Sequence, residues 1–208
     1  MISAAEALKR LREGNQRFVA SKSATTPGSN QARRTELVAG QAPFAIVLGC
    51  SDSRVPAELV FDQGFGDLFV IRVAGNIVAP SQVGSVEFAA ATYATKLVVV
   101  MGHSQCGAII ATLNELFGRE TSTSKNIQSI VNRVRPPLET LLAGRRDADF
   151  DAVIGDAVRA NVRASVHHLR HGSELLESLI ATEGLAVVGA EYSLDTGVVT
   201  FFDAAGLE

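Results

Sequence analysis

The chain has 208 residues, 47% apolar, 20% charged and 6% aromatic, with 18 Gly and 6 Pro, the usage of one globular domain rather than of a disordered, fibrous or collagen-like chain. Its 19 basic and 22 acidic side chains leave a net charge of −3, so no overall positive field exists to gather nucleic acid or anionic lipid. The most apolar runs, 44–50, 97–102 and 185–190, are far shorter than the roughly 20 residues that cross a bilayer.

In chain order, residues 3–20 read as a helix, because Ser3 and Glu6 form a capping-box pattern and Ala4, Leu8, Leu11 and Phe18 recur at helical spacing. Glu6, Lys9, Arg10, Arg12 and Glu13 interrupt this segment with charge, unlike a secretory signal, so a cytoplasmic location is expected. A polar loop over 21–31 and a short helix over 32–38 complete an N-terminal arm, 1–40, expected to pack on a neighbouring subunit. Then strands over 44–49, 68–73 and 97–101 alternate with helices over 56–61, 82–95 and 108–117. Two long helices follow, about 125–143 and 151–182. A strand over 185–192 turns through Asp195-Thr196-Gly197 into 198–202, which reads as a hairpin at a sheet edge. Continuous apolar strands separated by helices imply an α/β fold, a central mostly parallel sheet flanked by helices, with 1–208 as one domain.

The chemistry collects where ligands sit in such sheets, beyond the carboxyl ends of the strands. Cys50 follows the first strand, and His103 and Cys106 follow the third. Two cysteines are too few for a disulfide framework and suit metal or catalysis in a reducing compartment. Two thiolates and an imidazole suit zinc, and three protein ligands leave a fourth position for water, as in catalytic rather than structural sites. His167, His168 and His171 lie together on the late helix and read as a solvated or packing face.

Residues 49–56 (Gly-Cys-Ser-Asp-Ser-Arg-Val-Pro), 72–76 (Arg-Val-Ala-Gly-Asn) and 102–108 (Gly-His-Ser-Gln-Cys-Gly-Ala) closely resemble the signatures of β-class carbonic anhydrases, and the likeness extends to the first helix and the closing 189–198. The resemblance implies one zinc per subunit on Cys50, His103 and Cys106, and reversible hydration of carbon dioxide by attack of zinc-bound hydroxide. It assigns Asp52 and Arg54 as a dyad: Asp52 orients the hydroxide and Arg54 holds Asp52 off the metal. In a closed state Asp52 itself becomes the fourth ligand. Gln41, nine residues before Cys50, and the Gly107 amide are implied bicarbonate donors. Phe69, Ala74 and Phe88 are implied to line the apolar pocket. The pocket is implied to be shared across an interface in a homodimer or dimer of dimers.

Two departures from the family pattern follow. Phe88 stands where plant-type members carry Tyr. Val47 occupies the Trp position of the non-catalytic bicarbonate site of regulated members, although Arg72 and Tyr192 are present and the chain has no Trp. A hyperbolic bicarbonate response is therefore expected. The same zinc site could alternatively hydrolyse carbon disulfide or carbonyl sulfide, or bind zinc without catalysis; the Asp52–Arg54 dyad argues against the last.

Overall fold

Strands β1 (Ala45–Gly49), β2 (Leu68–Arg72), β3 (Leu97–His103), β4 (Ala186–Tyr192) and β5 (Val199–Phe202) form one sheet in the order β2-β1-β3-β4-β5. The first four are parallel and β5 pairs antiparallel with β4, the expected edge hairpin. This computed structural model describes residues 1–23, 31–120, 123–143, 149–204 and 206–207, so most of the loop expected over 21–31 lies outside the described residues. The helices are α1 (Ala4–Val19), α2 (Gln31–Leu37), α3 (Ala57–Val60), α4 (Pro80–Tyr93), α5 (Gly107–Leu116), α6 (Lys125–Leu142), α7 (Phe150–His171) and α8 (Glu174–Glu183). Among the described residues, no helix is long and apolar enough to cross a membrane.

Both central strands are buried along their whole length, and their side chains alternate between two cores as a pleated strand requires. Val47, Val99 and Met101 face a cluster with Leu8, Leu11 and Phe61. Ile46, Leu48, Val98 and Val100 face Val86, Val162, Val166 and Leu169. A third cluster, beyond the carboxyl ends of β1 and β3, joins α5, α6 and α7 around Cys50 and Cys106.

Helix α1 begins as the capping box dictates, with Ser3 Oγ accepting from the Glu6 amide at 3.2 Å. Its apolar face is covered by its own sheet. The buried Asn15 fastens it there: its Nδ2 donates to the Val60 and Gly197 carbonyls, and its Oδ1 accepts from the Val199 amide. By contrast α2 buries none of its residues.

The late helix expected over 151–182 is two helices. Ser173 Oγ accepts from the Leu176 amide at 3.2 Å and starts α8, and a Cβ at Gly172 would lie 2.6 Å from the His168 carbonyl oxygen. A new N-cap and a close backbone approach thus divide a continuous helical pattern.

Candidate metal centre

Parallel pairing sets Gly49 of β1 opposite Met101 of β3, so the residues leaving these strands emerge side by side. Cys50 follows β1, and Cys106 is the N-cap of α5. The third strand extends two residues beyond its apolar run, because Gly102 and His103 still pair with Glu191 and Tyr192 of β4. These two segments converge. One ligand atom from each of Cys50, His103 and Cys106 lies within 4.8 Å of the others, and all three residues are buried. The two sulfurs are 4.0 Å apart.

The orientation of His103 favours a cation. Its Nδ1 faces the Ser104 carbonyl at 2.9 Å, which places a proton on Nδ1 and leaves the Nε2 lone pair bare. Nε2 is buried and has no hydrogen-bond partner among the described residues. Buried polar atoms are nearly always satisfied; an unpaired imidazole nitrogen beside two sulfurs is the donor set of a zinc site.

Each thiol shifts the other across the 4.0 Å between the sulfurs. Cys50 is pushed down to about 4 by the Cys106 thiol, against the opposing effect of burial, with further support from His103 and the Gly75 amide. The Gly75 N–H donates to Cys50 Sγ at 3.3 Å. Cys106 is pushed up by its interaction with Cys50 and by burial, while the first-turn amides of Ile109 and Ala108 pull it down. Burial opposes protonation of His103, but Cys50, the Ser104 carbonyl and Asp52 raise its pKa overall.

Asp52 and Arg54 meet side by side. Arg54 Nε and Nη2 donate to Asp52 Oδ1 and Oδ2 at 2.9 and 2.7 Å, and the Arg54 amide donates to Oδ1 at 3.0 Å. The guanidinium holds Asp52 well below the usual carboxylate range despite partial burial. Asp52 Oδ2 is 3.8 Å from His103 Nε2, at the edge of the cation site. Arg72 fixes the loop itself, donating to the Cys50 carbonyl at 3.0 Å and the Asp52 carbonyl at 2.6 Å.

Of the residues expected around substrate, Ala74 and Gly107 adjoin the centre, beside the Gly75 amide and Cys106. Gln41, Phe69 and Phe88 do not. Phe69 pairs with Ile46, four residues or about 13 Å along the strand from Cys50, and Gln41 precedes that strand. At this opposite end Gln41 Nε2 donates to Tyr93 Oη at 2.9 Å. Phe69, Phe88 and Tyr93 form a ring cluster with centroid separations of 5.8 to 6.3 Å.

Comparison with known proteins accords with this geometry. The family model described as carbonic anhydrase matches residues 45–199. The chain is 38% identical over 200 residues to carbonic anhydrase 2 of Mycobacterium tuberculosis, covering 96% of this chain and 93% of that one. It is 40% identical over 194 residues to the carbonic anhydrase of Mycolicibacterium smegmatis, covering 93% and 90%. The chain belongs to the β-carbonic anhydrase family. Among solved structures, the β-carbonic anhydrase CafA of Aspergillus fumigatus superposes with a TM-score of 0.75 at 26% identity, covering 96% of this chain and 90% of that one. The β-carbonic anhydrase CcaA also gives 0.75 at 26% identity, covering 97% of each chain. The sheet, its flanking helices and the enzymatic class, carbonic anhydrase, are thereby established for this chain.

Residue-by-residue reading of the sequence missed three parts of this β-carbonic anhydrase centre: the Ser104 carbonyl behind His103, Arg72 beneath the Cys50 loop, and Asn161 and Ser165 of α7, which bond the Gly75 and Asn76 carbonyls. The last pair had a signal. Two polar residues four apart on an otherwise buried apolar helix face require partners inside the protein.

Proposed function

We propose that the chain hydrates carbon dioxide reversibly to bicarbonate and a proton, with one zinc ion held by Cys50, His103 and Cys106. The orphaned, buried Nε2 of His103 facing two sulfurs is the observation that carries this reading. When bound, zinc supplies the Lewis acid that makes a water molecule nucleophilic near neutral pH. The chain's own residues do the rest.

Asp52, kept ionised by Arg54, is an acceptor only; it takes a hydrogen bond from the nucleophilic oxygen and directs that oxygen's lone pair toward the carbon of the gas. The two-point hold of Arg54 keeps the carboxylate from turning onto the cation. Were that hold lost, Asp52 would be free to serve as a further metal ligand, the closed state. The Gly107 amide, the first of α5, faces the developing negative charge of bicarbonate, and Ala74 contributes apolar wall.

Gln41, Phe69 and Phe88 join this pocket from a second copy of the chain. Among the described residues strand β2 lies at the sheet edge, and Phe88 on the neighbouring α4 is 53% exposed. An open edge beside exposed rings is the form of surface that association covers. A homodimer, or a dimer of such dimers, would bring this end of one subunit to the metal centre of the other. The intact Asp52–Arg54 pair favours catalysis over zinc storage, because a structural metal has no use for a held carboxylate.

The test is stopped-flow hydration with metal analysis on the wild type and on Asp52→Asn. The variant is expected to keep one zinc per chain and lose roughly 100-fold or more in turnover. A zinc-loaded wild type that hydrates carbon dioxide no faster than buffer would overturn the reading; loss of metal from the variant would make Asp52 chiefly a ligand.

A further inference from the structure

Helix α7 presents a buried stripe of Ala157, Val158, Val162, Val166 and Leu169 to the protein interior. Within it lie Asn161 and Ser165, only 2% and 5% exposed. Burying an amide and a hydroxyl among aliphatic side chains is unfavourable unless both find partners. Being four residues apart, they share one helix face, and they bond two consecutive carbonyls: Asn161 Nδ2 donates to the Gly75 carbonyl at 2.8 Å, and Ser165 Oγ to the Asn76 carbonyl at 3.1 Å.

Those carbonyls belong to an unusual piece of backbone. Gly75 and Asn76 are both left-handed, with φ of 68° and 42°, a conformation that the surroundings must impose. The turn is wedged against α5, since a Cβ at Gly75 would lie 2.9 Å from Ala108 Cβ. Held so, it aims the Gly75 N–H at Cys50 Sγ. The same helix braces the other strand end: a Cβ at Gly102, the residue before His103, would lie 2.7 Å from Val162 Cγ2 and 3.0 Å from Val158 Cγ1. One rigid element therefore indexes both the amide that faces Cys50 and the strand end that carries His103.

We infer that Asn161, assisted by Ser165, is a positioning residue of the metal centre: it clamps the left-handed Gly75–Asn76 turn so that the Gly75 amide stays on the Cys50 sulfur. The inference rests on the zinc reading given above. Outer partners of this kind change metal affinity by about 10- to 100-fold in characterised sites. A single neutral hydrogen bond of about 1 kcal/mol corresponds to roughly fivefold.

The experiment compares wild type, Asn161→Ala, Ser165→Ala and Val166→Ala, the last trimming the apolar core of the same helix without removing a hydrogen bond. Each zinc-loaded protein is challenged with a chelator well below its melting temperature, and each cobalt-substituted protein is examined for its thiolate-to-cobalt charge-transfer band. Asn161→Ala is expected to release zinc at least 10-fold faster than wild type, with a shifted cobalt band, and Ser165→Ala about fivefold faster. Val166→Ala is expected to stay within about twofold with an unshifted band, because loss of packing alone leaves the sulfur's amide in place. Wild-type release rates and spectra in Asn161→Ala, or equal effects in Val166→Ala, overturn the inference. If Asn161→Ala does not fold, an unchanged Ser165→Ala overturns it by itself. Failure of the wild type to hold one metal per chain overturns the zinc reading instead, so the two failures are distinct.

Discussion

The contact between β3 and α7 can be tested by a double-mutant cycle at Gly102 and Val162. In Gly102→Ala the new methyl meets Val162 Cγ2 at 2.7 Å and Val158 Cγ1 at 3.0 Å, closer than Cβ atoms pack, and both valines are buried within a helix that cannot simply swing away. Overpacking of this kind costs about 1–3 kcal/mol. Val162→Ala alone removes two buried methyl groups, worth about 1.6 kcal/mol of transfer free energy at ~0.8 kcal/mol each, plus a cavity contribution. In the double variant the alanine at 102 grows into the space vacated at 162. The loss should therefore fall short of the sum of the single losses by about 1–2 kcal/mol. Denaturant unfolding of the zinc-loaded proteins at one fixed concentration measures this, since metal and association both contribute to apparent stability. The Gly102→Ala variant should also release zinc faster, because His103 is the next residue along the strand. Additivity within about 0.5 kcal/mol would refute the argument that α7 seats directly on the backbone at 102.

Gly75→Ala should lower stability by about 1–2 kcal/mol for the left-handed backbone alone, with more from the 2.9 Å approach to Ala108, and thermal melts with a chelator challenge should show zinc loss in parallel. Removing zinc should lower the melting temperature by roughly 5–10 °C if the metal is present at about 100 times its dissociation constant; a thiol reagent should then modify both Cys50 and Cys106, which the loaded protein protects. Phe88→Asp places a charge on the exposed ring cluster and should shift the oligomer toward monomer in sedimentation while lowering turnover; an unchanged assembly would exclude this edge as the interface. Arg72 is committed to the Cys50 and Asp52 carbonyls and Val47 is wholly buried, so inhibition by bicarbonate should be hyperbolic, and a sigmoidal curve would count against that assignment.

The first three strands were legible because each centres on a short apolar run, and Cys50, His103 and Cys106 because they stand just past two such runs. Strand β3 reads two residues short in the sequence because Gly102 and His103 carry no apolar side chain; they join the strand through backbone pairing to β4, which side-chain pattern does not encode. The break at Gly172–Ser173 was hidden for the opposite reason, since helical periodicity continues across it. The capping box of α1 was plain, yet which surface its apolar face would cover was not, because amphipathicity states that a face needs a partner without naming one.

Gln41, Phe69 and Phe88 illustrate the same limit at the site. Their residue types suit an apolar pocket with one amide, but the strand direction carries Phe69 about 13 Å from Cys50 of its own chain, and Phe88 and Gln41 lie at the same end. By itself the sequence placed Cys50, His103 and Cys106 beyond the ends of two strands, because that follows from local order along the chain; the pairing of Asp52 with Arg54 came from the family resemblance and is made by the hydrogen bonds between them. Only the tertiary structure decided the bare Nε2 of His103, the Arg72 support and the clamp of α7. Asn161 and Ser165 reach partners 86 and 89 residues away, and a contact closed over that span is set by how helices settle on the sheet, which no local pattern records.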